Sequence, residues 1–154
     1  MASDLMSWPP WRSVVVASRT EQIRILVVDD HEIIRREFCA LLRAQAGFVV
    51  ISDVANGEEA IRKAKELQPD VVLLDISLPR LDGFAVARHV RKFVPSAEIL
   101  FVSQHDTRQM VREALRAGGR GYVIKLDAAA ELVPAVRAVS ERKQFISRRL
   151  AASA

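Results

Sequence analysis

The segment DVVLLD at residues 70–75 decides the fold that this sequence predicts. Its four central residues are all apolar, which is typical of a strand buried on both faces of a parallel sheet. The segment ends in Asp75, and Pro79 and Gly83 follow four and eight residues later. In open α/β sheets, ligands bind beyond the carboxyl ends of the strands. The segment therefore predicts a central strand with a polar group at the binding edge.

The same alternation of apolar runs and amphipathic segments repeats along the chain. Strands are predicted at 24–29, 48–54, 70–75, 97–103 and 121–124. Helices are predicted near 31–46, 57–67, 84–93, 107–117 and 128–142. Five such repeats predict a flavodoxin-like α/β fold, with a doubly wound, five-stranded parallel sheet in the order 2-1-3-4-5 and helices on both faces.

Local signals indicate where the helices begin and end. Asn56 with Glu59, and Asp106 with Gln109, have the spacing of capping boxes at the starts of the second and fourth helices. Pro134 falls inside the last helical segment, so that helix either begins late or bends there. Helix ends are predicted at three glycines, Gly47, Gly118 and Gly119.

The composition is that of one globular domain. The chain has 154 residues, of which 50% are hydrophobic and 27% are charged. Its one cysteine, Cys39, excludes an internal disulfide, and no apolar stretch approaches the roughly 20 residues that span a bilayer. The net charge of +4 comes from basic residues interleaved with acidic ones, which favours solvated helix faces, with a partner-binding surface as the alternative. We expect a cytoplasmic protein.

Polar residues lie at the carboxyl ends of four of the predicted strands. Asp29 and Asp30 follow the first, Asp75 the third, Ser103 ends the fourth and Lys125 follows the fifth. Because the carboxyl ends of parallel strands meet at one edge, these groups should converge. Three carboxylates so close repel one another, and a hard cation such as Mg²⁺ with its preference for oxygen ligands removes that conflict. The pattern predicts a magnesium site.

The remaining groups suit a phosphoryl group at the same place. The Lys125 ammonium can pair with the acceptor or with a phosphoryl oxygen, and the Ser103 hydroxyl can donate to another. A carboxylate can itself accept the phosphoryl group as an aspartyl-phosphate. Taken singly, each residue also fits an ordinary role as a helix cap, turn residue or solvated strand end. Only their joint placement predicts phosphoryl transfer.

Four stretches carry a resemblance to a known family: ILVVDDHEIIRREF, PDVVLLDISLPRLDGF, VSQHD and AGGRGYVIK. They resemble the receiver domains of two-component response regulators, close to the NarL/FixJ (LuxR-type) branch, over about residues 24–142. The resemblance implies a phosphorelay module phosphorylated by a sensor histidine kinase in a Mg²⁺-dependent reaction. Such a module assists its own phosphoryl transfer and autodephosphorylation but is not a turnover enzyme.

The resemblance also implies roles for the acidic residues. Asp75 matches the phosphorylated aspartate. Asp30 would bind Mg²⁺ directly and Asp29 through water, while Ser77 would contribute its backbone carbonyl and Asp75 a carboxylate oxygen.

Three further residues match the family's switch and phosphoryl-binding positions. Ser103 and Tyr122 match the hydroxyl and aromatic residues whose rearrangement reports phosphorylation on a surface formed by helix 4, strand 5 and helix 5. Lys125 matches the family's lysine. Gln104 departs from the pattern, since a smaller residue is common there, and this bears on access to the acceptor and the lifetime of the phosphoryl group.

The resemblance implies a receiver at 23–142, followed by a short tail (143–154). Residues 1–22 have no periodic pattern, which predicts a poorly ordered leader, with a docking peptide built on Trp8 and Trp11 as the alternative. The LuxR-type branch implies a C-terminal helix-turn-helix domain, which the tail is too short to hold. DNA binding by this chain alone is therefore not expected, and a truncated transcriptional regulator is the alternative interpretation. The expected partners are a sensor histidine kinase and a second copy in a phosphorylation-dependent homodimer. No membrane partner is expected, and no small-molecule substrate beyond phosphodonors.

Two other functional classes fit less well. An aspartate-based phosphatase resembling the haloacid dehalogenases needs a second aspartate two residues after the first, where this chain has His31. A dinucleotide-binding fold needs a glycine-rich turn after the first strand, and none follows it here. For His31 the alternatives are a modulator of the metal site and a solvated residue of the first helical turn. The second is favoured, and no role is assigned to His31.

Overall fold

A parallel sheet forms the centre of the computed structural model, which describes residues 22–151. The strands are β1 (Ile23–Val28), β2 (Phe48–Val54), β3 (Val71–Leu74), β4 (Glu98–Ser103), β5 (Gly121–Ile124) and β6 (Phe145–Ile146). Their order is β2-β1-β3-β4-β5-β6, and every pairing is parallel. Apart from residue 22, the predicted leader lies outside the described residues.

Helices cover both faces of this sheet. They are α1 (Glu32–Arg43), α2 (Gly57–Leu67), α3 (Gly83–Phe93), α4 (Arg108–Arg116), α5 (Ala128–Ser140) and α6 (Arg148–Ala151), with a 3₁₀ turn at Lys125–Asp127. Helices α1 and α5 pack on one face, and α2, α3 and α4 pack on the other. Within residues 22–151, none of the helices combines the length and the apolar character needed to cross a membrane.

The strands are apolar throughout because both of their faces are buried. In β1, Ile25 and Val27 pack with α1 and α5, whereas Leu26 and Val28 face α2 and α3. Successive side chains of a strand point to opposite faces, so a two-sided cover requires an unbroken apolar run. The prediction that helices cover both faces of the sheet is confirmed.

The predicted helix cap at Asn56 is confirmed, and the one predicted at Asp106 is wrong. Asn56 caps α2, with its Oδ1 accepting a hydrogen bond from the backbone N–H of Glu59 at 2.9 Å. At α4 the cap is Thr107, not Asp106, and its Oγ1 accepts from the N–H of Met110 at 3.2 Å. Two adjacent cap-forming residues look equivalent in the sequence, and only the local backbone conformation selects between them.

The glycines and the proline that the sequence places at helix boundaries have different outcomes. Gly118 directly follows the C-cap Ala117 of α4, whereas Gly47 lies four residues beyond the last residue of α1. Their φ values are +107° and +87°, which glycine adopts without strain. Helix α5 begins at Ala128 and includes Pro134. The late start allowed by the sequence is therefore excluded.

The prediction of five strands is wrong, since the sheet has a sixth. Strand β6 pairs with β5 in parallel, with Gly121 opposite Phe145 and Tyr122 opposite Ile146. The short helix α6 follows it, so part of the segment expected to be a tail packs on the sheet. A strand of two residues is too short to produce a periodic signal in the sequence.

A buried polar contact holds this last segment in place. Ser147 is fully buried, its Oγ accepts from the N–H of Ile124 at 2.8 Å and donates to Glu131 Oε1 at 2.5 Å. The other carboxylate oxygen of Glu131 accepts from the N–H of Arg148 at 3.0 Å. A carboxylate of α5 and the end of β5 are thereby joined through one hydroxyl.

Replacing Ser147 with alanine should destabilise the fold. The Ser147→Ala change leaves the buried N–H of Ile124 and the Glu131 carboxylate without this partner, at a cost of about 1–3 kcal/mol in the free energy of unfolding. Urea unfolding followed by circular dichroism measures it. The matched control is Ser140→Ala. The Ser140 hydroxyl only donates to the carbonyl of Arg137 within α5. Equal stabilities of the two variants would contradict the role of Ser147.

Candidate functional site

The site lies at the carboxyl edge of the sheet, where the ends of β1 and β3 are neighbours. The N–H of Asp29 donates to the carbonyl of Val54 at 3.1 Å, and the N–H of Asp75 donates to the carbonyl of Val28 at 3.0 Å. The sheet hydrogen bonds thus extend as far as the two aspartates. Their side chains leave the sheet at the same edge, as the parallel topology requires.

Four side chains with metal-binding atoms meet at this edge. One ligand atom from each of Asp29, Asp30, His31 and Asp75 lies within 4.8 Å of the others. The side chain of Asp29 is 2% exposed and Asp75 is 3% exposed, while Asp30 and His31 face solvent. The cluster therefore has a buried floor and an open side through which a ligand can enter.

Lys125 reaches both buried carboxylates from the end of β5. Its Nζ lies 2.9 Å from Asp29 Oδ2 and 3.2 Å from Asp75 Oδ2. The contact with Asp75 is a hydrogen bond, whereas that with Asp29 is an ion pair without hydrogen-bond geometry. Among the described residues, Asp29 Oδ2 is the one buried side-chain oxygen that makes no hydrogen bond.

The environment shifts the protonation equilibria of these groups. Burial raises the pKa of the Asp75 carboxyl, Lys125 opposes that rise, and the neighbouring Asp29 adds to it. Burial alone would lower the pKa of Lys125, but the contacts with Asp29 and Asp75 outweigh burial and raise it. Lys125 is therefore firmly cationic, and it faces carboxylates that are crowded together.

The predicted switch residues lie beside the cluster and contact one loop. Ser103 is buried at the end of β4, and its Oγ accepts from the N–H of His105 at 3.1 Å. Tyr122 is fully buried on β5, and its hydroxyl donates to the carbonyl of His105 at 2.7 Å. Both residues thus hold the backbone of the β4–α4 loop. Tyr122 already points inward in this structure.

Ser77 lies on the loop after β3, and two of its groups contact neighbouring residues. Its N–H donates to Asp75 Oδ1 at 3.4 Å, and its hydroxyl lies 3.4 Å from His105 Nε2. Sequence reasoning did not single out His105. The contact joins two loops that are 28 residues apart in the chain, and no spacing rule in the sequence reveals it.

Arg35 is a second residue that sequence reasoning missed. Its Nη1 donates to the carbonyl of Asp29 at 2.8 Å, and its Nε donates to Asp53 Oδ2 at 2.9 Å. The guanidinium group thereby fixes the backbone of the aspartate from α1. Its place one turn into the helix that follows Asp29 is a signal that could have identified it.

The donor set fits a hard divalent cation. Three carboxylates face a single ammonium group, so the local charge is negative. Hard cations such as Mg²⁺ take oxygen ligands of this kind. An acidic cluster that could hold a metal is therefore present.

Comparisons with known proteins agree with this geometry. The family model of the response regulator receiver domain matches residues 25–137. The response regulator GacA of Pseudomonas viridiflava is 35% identical over 129 residues, which cover 84% of this chain and 60% of that protein. The transcriptional regulatory protein LiaR of Bacillus subtilis is 32% identical over 129 residues, which cover 84% and 61%. The chain thus spans less than two thirds of these curated relatives.

Two solved structures are similar over most of the described chain. A two-component response regulator of the LuxR family from Aurantimonas superimposes with a TM-score of 0.82 at 34% identity, covering 85% of this chain and 94% of that one. The signal receiver domain of the response regulator NarL from Mycobacterium tuberculosis gives a TM-score of 0.75 at 32% identity, covering 79% and 98%. The resemblance found in the sequence is confirmed, and the chain belongs to the response regulator receiver domain family, with relatives of the LuxR/NarL type.

Proposed function

We propose that this chain is the phospho-accepting receiver of a cytoplasmic two-component phosphorelay, phosphorylated on Asp75 by a sensor histidine kinase in a Mg²⁺-dependent reaction. The observation that carries the proposal is the position of Asp75. Its carboxylate is buried at the sheet edge, next to a second buried aspartate and in contact with the Lys125 ammonium. A carboxylate in this setting can act as the nucleophile, because the Lys125 ammonium is in place to neutralise the negative charge that the phosphoryl group adds.

The chain's own residues account for the transfer step. An Asp75 carboxylate oxygen attacks the phosphorus, the new O–P bond forms, and the bond to the donor nitrogen breaks with its electron pair left on that nitrogen. The N–H of Ser77 holds Asp75 Oδ1, and Lys125 neutralises charge on the acceptor side. Ser103 supplies a hydroxyl donor for a phosphoryl oxygen. Such transfer depends mainly on positioning and charge neutralisation.

The metal belongs on the open side of the cluster. We assign Asp29, Asp30, Asp75 and the backbone carbonyl of Ser77 as the groups that hold Mg²⁺. When bound, the cation neutralises phosphoryl oxygens during transfer. The same residues that accept the group also assist its hydrolysis, so the module is self-dephosphorylating and not a turnover enzyme.

The signal leaves the site through the β4–α4 loop. A phosphoryl group on Asp75 that draws the Ser103 side chain toward it moves the Oγ away from the N–H of His105, from which that oxygen accepts a hydrogen bond here. Tyr122 holds the carbonyl of the same residue, so the loop and Tyr122 move together. The surface of α4, β5 and α5 is repacked, and a second copy of the chain is the candidate partner there.

A second candidate function is the receiver part of a LuxR-type transcriptional regulator. Relatives such as LiaR are named as transcriptional regulatory proteins, and this chain spans 61% of that protein. A helix-turn-helix domain would then lie beyond residue 154. Reading the gene past the codon for that residue tests this, because an in-frame helix-turn-helix segment supports it and an immediate stop codon contradicts it.

The Asp75→Asn variant should lose phosphorylation. An amide cannot accept the phosphoryl group, so incubation with acetyl phosphate and Mg²⁺ should give no acid-labile labelling. The control is Asp70→Asn, at the other end of β3, where the carboxylate only accepts from the N–H of Arg24 at 2.8 Å. Asp70→Asn should be labelled like the wild type. Stoichiometric labelling of Asp75→Asn would refute the assignment.

The Asp30→Asn variant should bind Mg²⁺ more weakly. Loss of an outer-shell partner already costs metal affinity about tenfold, so removal of a charged ligand should cost at least that much. Isothermal titration calorimetry without any phosphodonor measures the effect. Asp70→Asn again serves as the control and should keep the wild-type affinity. An unchanged affinity in Asp30→Asn would remove Asp30 from the metal site.

The Lys125→Met variant should raise the pKa of Asp75 further. The ammonium group lowers that pKa in the folded protein, and its removal leaves burial and the charge of Asp29 unopposed. Carboxyl ¹³C spectra recorded against pH without metal should show Asp75 titrating at a higher pH than in the wild type. Lys143→Met, which removes a surface lysine paired with Glu141, should leave it unchanged. A lower or equal pKa in Lys125→Met contradicts the prediction.

A further inference from the structure

His31 lies on the open side of the acidic cluster, and the proposed function does not use its side chain. Its Nδ1 is 3.3 Å from Asp29 Oδ1 and 3.3 Å from Asp30 Oδ1. The residue occupies the N-cap position of α1 without making a side-chain capping bond. Its side chain is 61% exposed, and the contact of Nδ1 with Asp29 Oδ1 is also within hydrogen-bond distance.

The two distances from the His31 Nδ1 suit ligands of one ion. Zinc-type cations bind nitrogen and oxygen ligands at about 2.0–2.1 Å, which places neighbouring ligands about 3.3 Å apart in a tetrahedron and about 3.0 Å apart in an octahedron. The distances of 3.3 Å from Nδ1 to each carboxylate oxygen fall in this range. The ring nitrogen is therefore already at ligand spacing from each of the two carboxylate oxygens.

The buried aspartate is oriented toward this position. Asp29 is 2% exposed, and its Oδ2 faces Lys125 without a hydrogen bond. Its Oδ1 faces His31, accepting from the backbone N–H of that residue at 2.9 Å. Arg35 holds the backbone of Asp29. One oxygen of a rigidly held carboxylate is thus directed at the imidazole side of the cluster.

We propose that His31 supplies a nitrogen ligand to the cation held by Asp29 and Asp30, so that the site takes borderline transition-metal cations such as Ni²⁺ in addition to Mg²⁺. Imidazole suits Ni²⁺, Co²⁺ and Zn²⁺, whereas Mg²⁺ prefers oxygen ligands and retains water. His31 therefore sets the metal preference of the site. This inference rests on the cation site of the proposed function.

Calorimetric titration of the full chain with Ni²⁺ and, separately, with Mg²⁺ tests the proposal. In His31→Ala the Ni²⁺ affinity should fall at least about tenfold, since loss of even an outer-shell partner has that effect. The Mg²⁺ affinity should stay within about twofold, because the oxygen ligands remain. No phosphodonor is needed, so the readout is independent of phosphorylation.

The two other histidines of the chain provide matched controls. His89 lies on α3 with its Nδ1 2.9 Å from the carbonyl of Ala85, and His105 contacts Ser77. His89→Ala and His105→Ala should keep the wild-type Ni²⁺ affinity. With Zn²⁺, imidazole ¹⁵N spectra of the wild type should show the ligated shift at the Nδ1 of His31 alone.

Three results would overturn the proposal. They are an unchanged Ni²⁺ affinity in His31→Ala, a loss confined to His105→Ala, and a rise in affinity for both cations in His31→Ala. The last would mean that His31 competes with cations for the carboxylates. Failure of the wild type to bind Mg²⁺ would instead refute the magnesium site of the proposed function, while a His31-dependent Ni²⁺ affinity would still support the nitrogen ligand.

Discussion

Two buried carboxylates that share one ammonium group are the constraint on which this structure depends. Asp29 and Asp75 end neighbouring strands, and Lys125 is the cation that contacts both. Removal of one partner from a buried charge cluster costs far more than an exposed ion pair contributes, because the remaining charge stays desolvated. With Asp30 on the open side, the cluster keeps an excess of negative charge. A divalent cation bound there, or a charged group attached covalently, would change the net charge of the cluster and so the electrostatic interactions of the neighbouring loops.

The rest of the fold keeps these groups in position. Arg35 holds the backbone of Asp29 from α1, and the sheet carries Asp75 to the same edge. The segment after α5 has a similar role at the end of β5. Ser147 accepts from the N–H of Ile124, the residue just before Lys125, and is itself held by the buried Glu131. The segment after β5, which the sequence does not predict to be part of the sheet, thereby fixes the end of β5 next to Lys125.

Sequence reasoning succeeded where a physical signal extends over many residues. The continuous apolar runs of β1 and β3 reflect burial on two faces, and the order of the first five strands is the one that the doubly wound α/β pattern predicts. It failed where the signal is short. Asp106 and Thr107 are both good helix caps, and only the backbone conformation shows that Thr107 caps α4. Strand β6 has two residues, so its pairing with β5 depends on tertiary contacts alone.

The amino-acid sequence by itself determined the parallel sheet, the edge at which the acids meet and the chemistry of the convergent groups. These follow from strand polarity, since every parallel strand delivers its last residue to one edge. The tertiary structure alone decided the distances and directions within that edge. It brought His31 within 3.3 Å of two carboxylates and His105 within 3.4 Å of Ser77. Loop backbones and side-chain rotamers set such contacts, and they respond to packing from distant segments that no local pattern records.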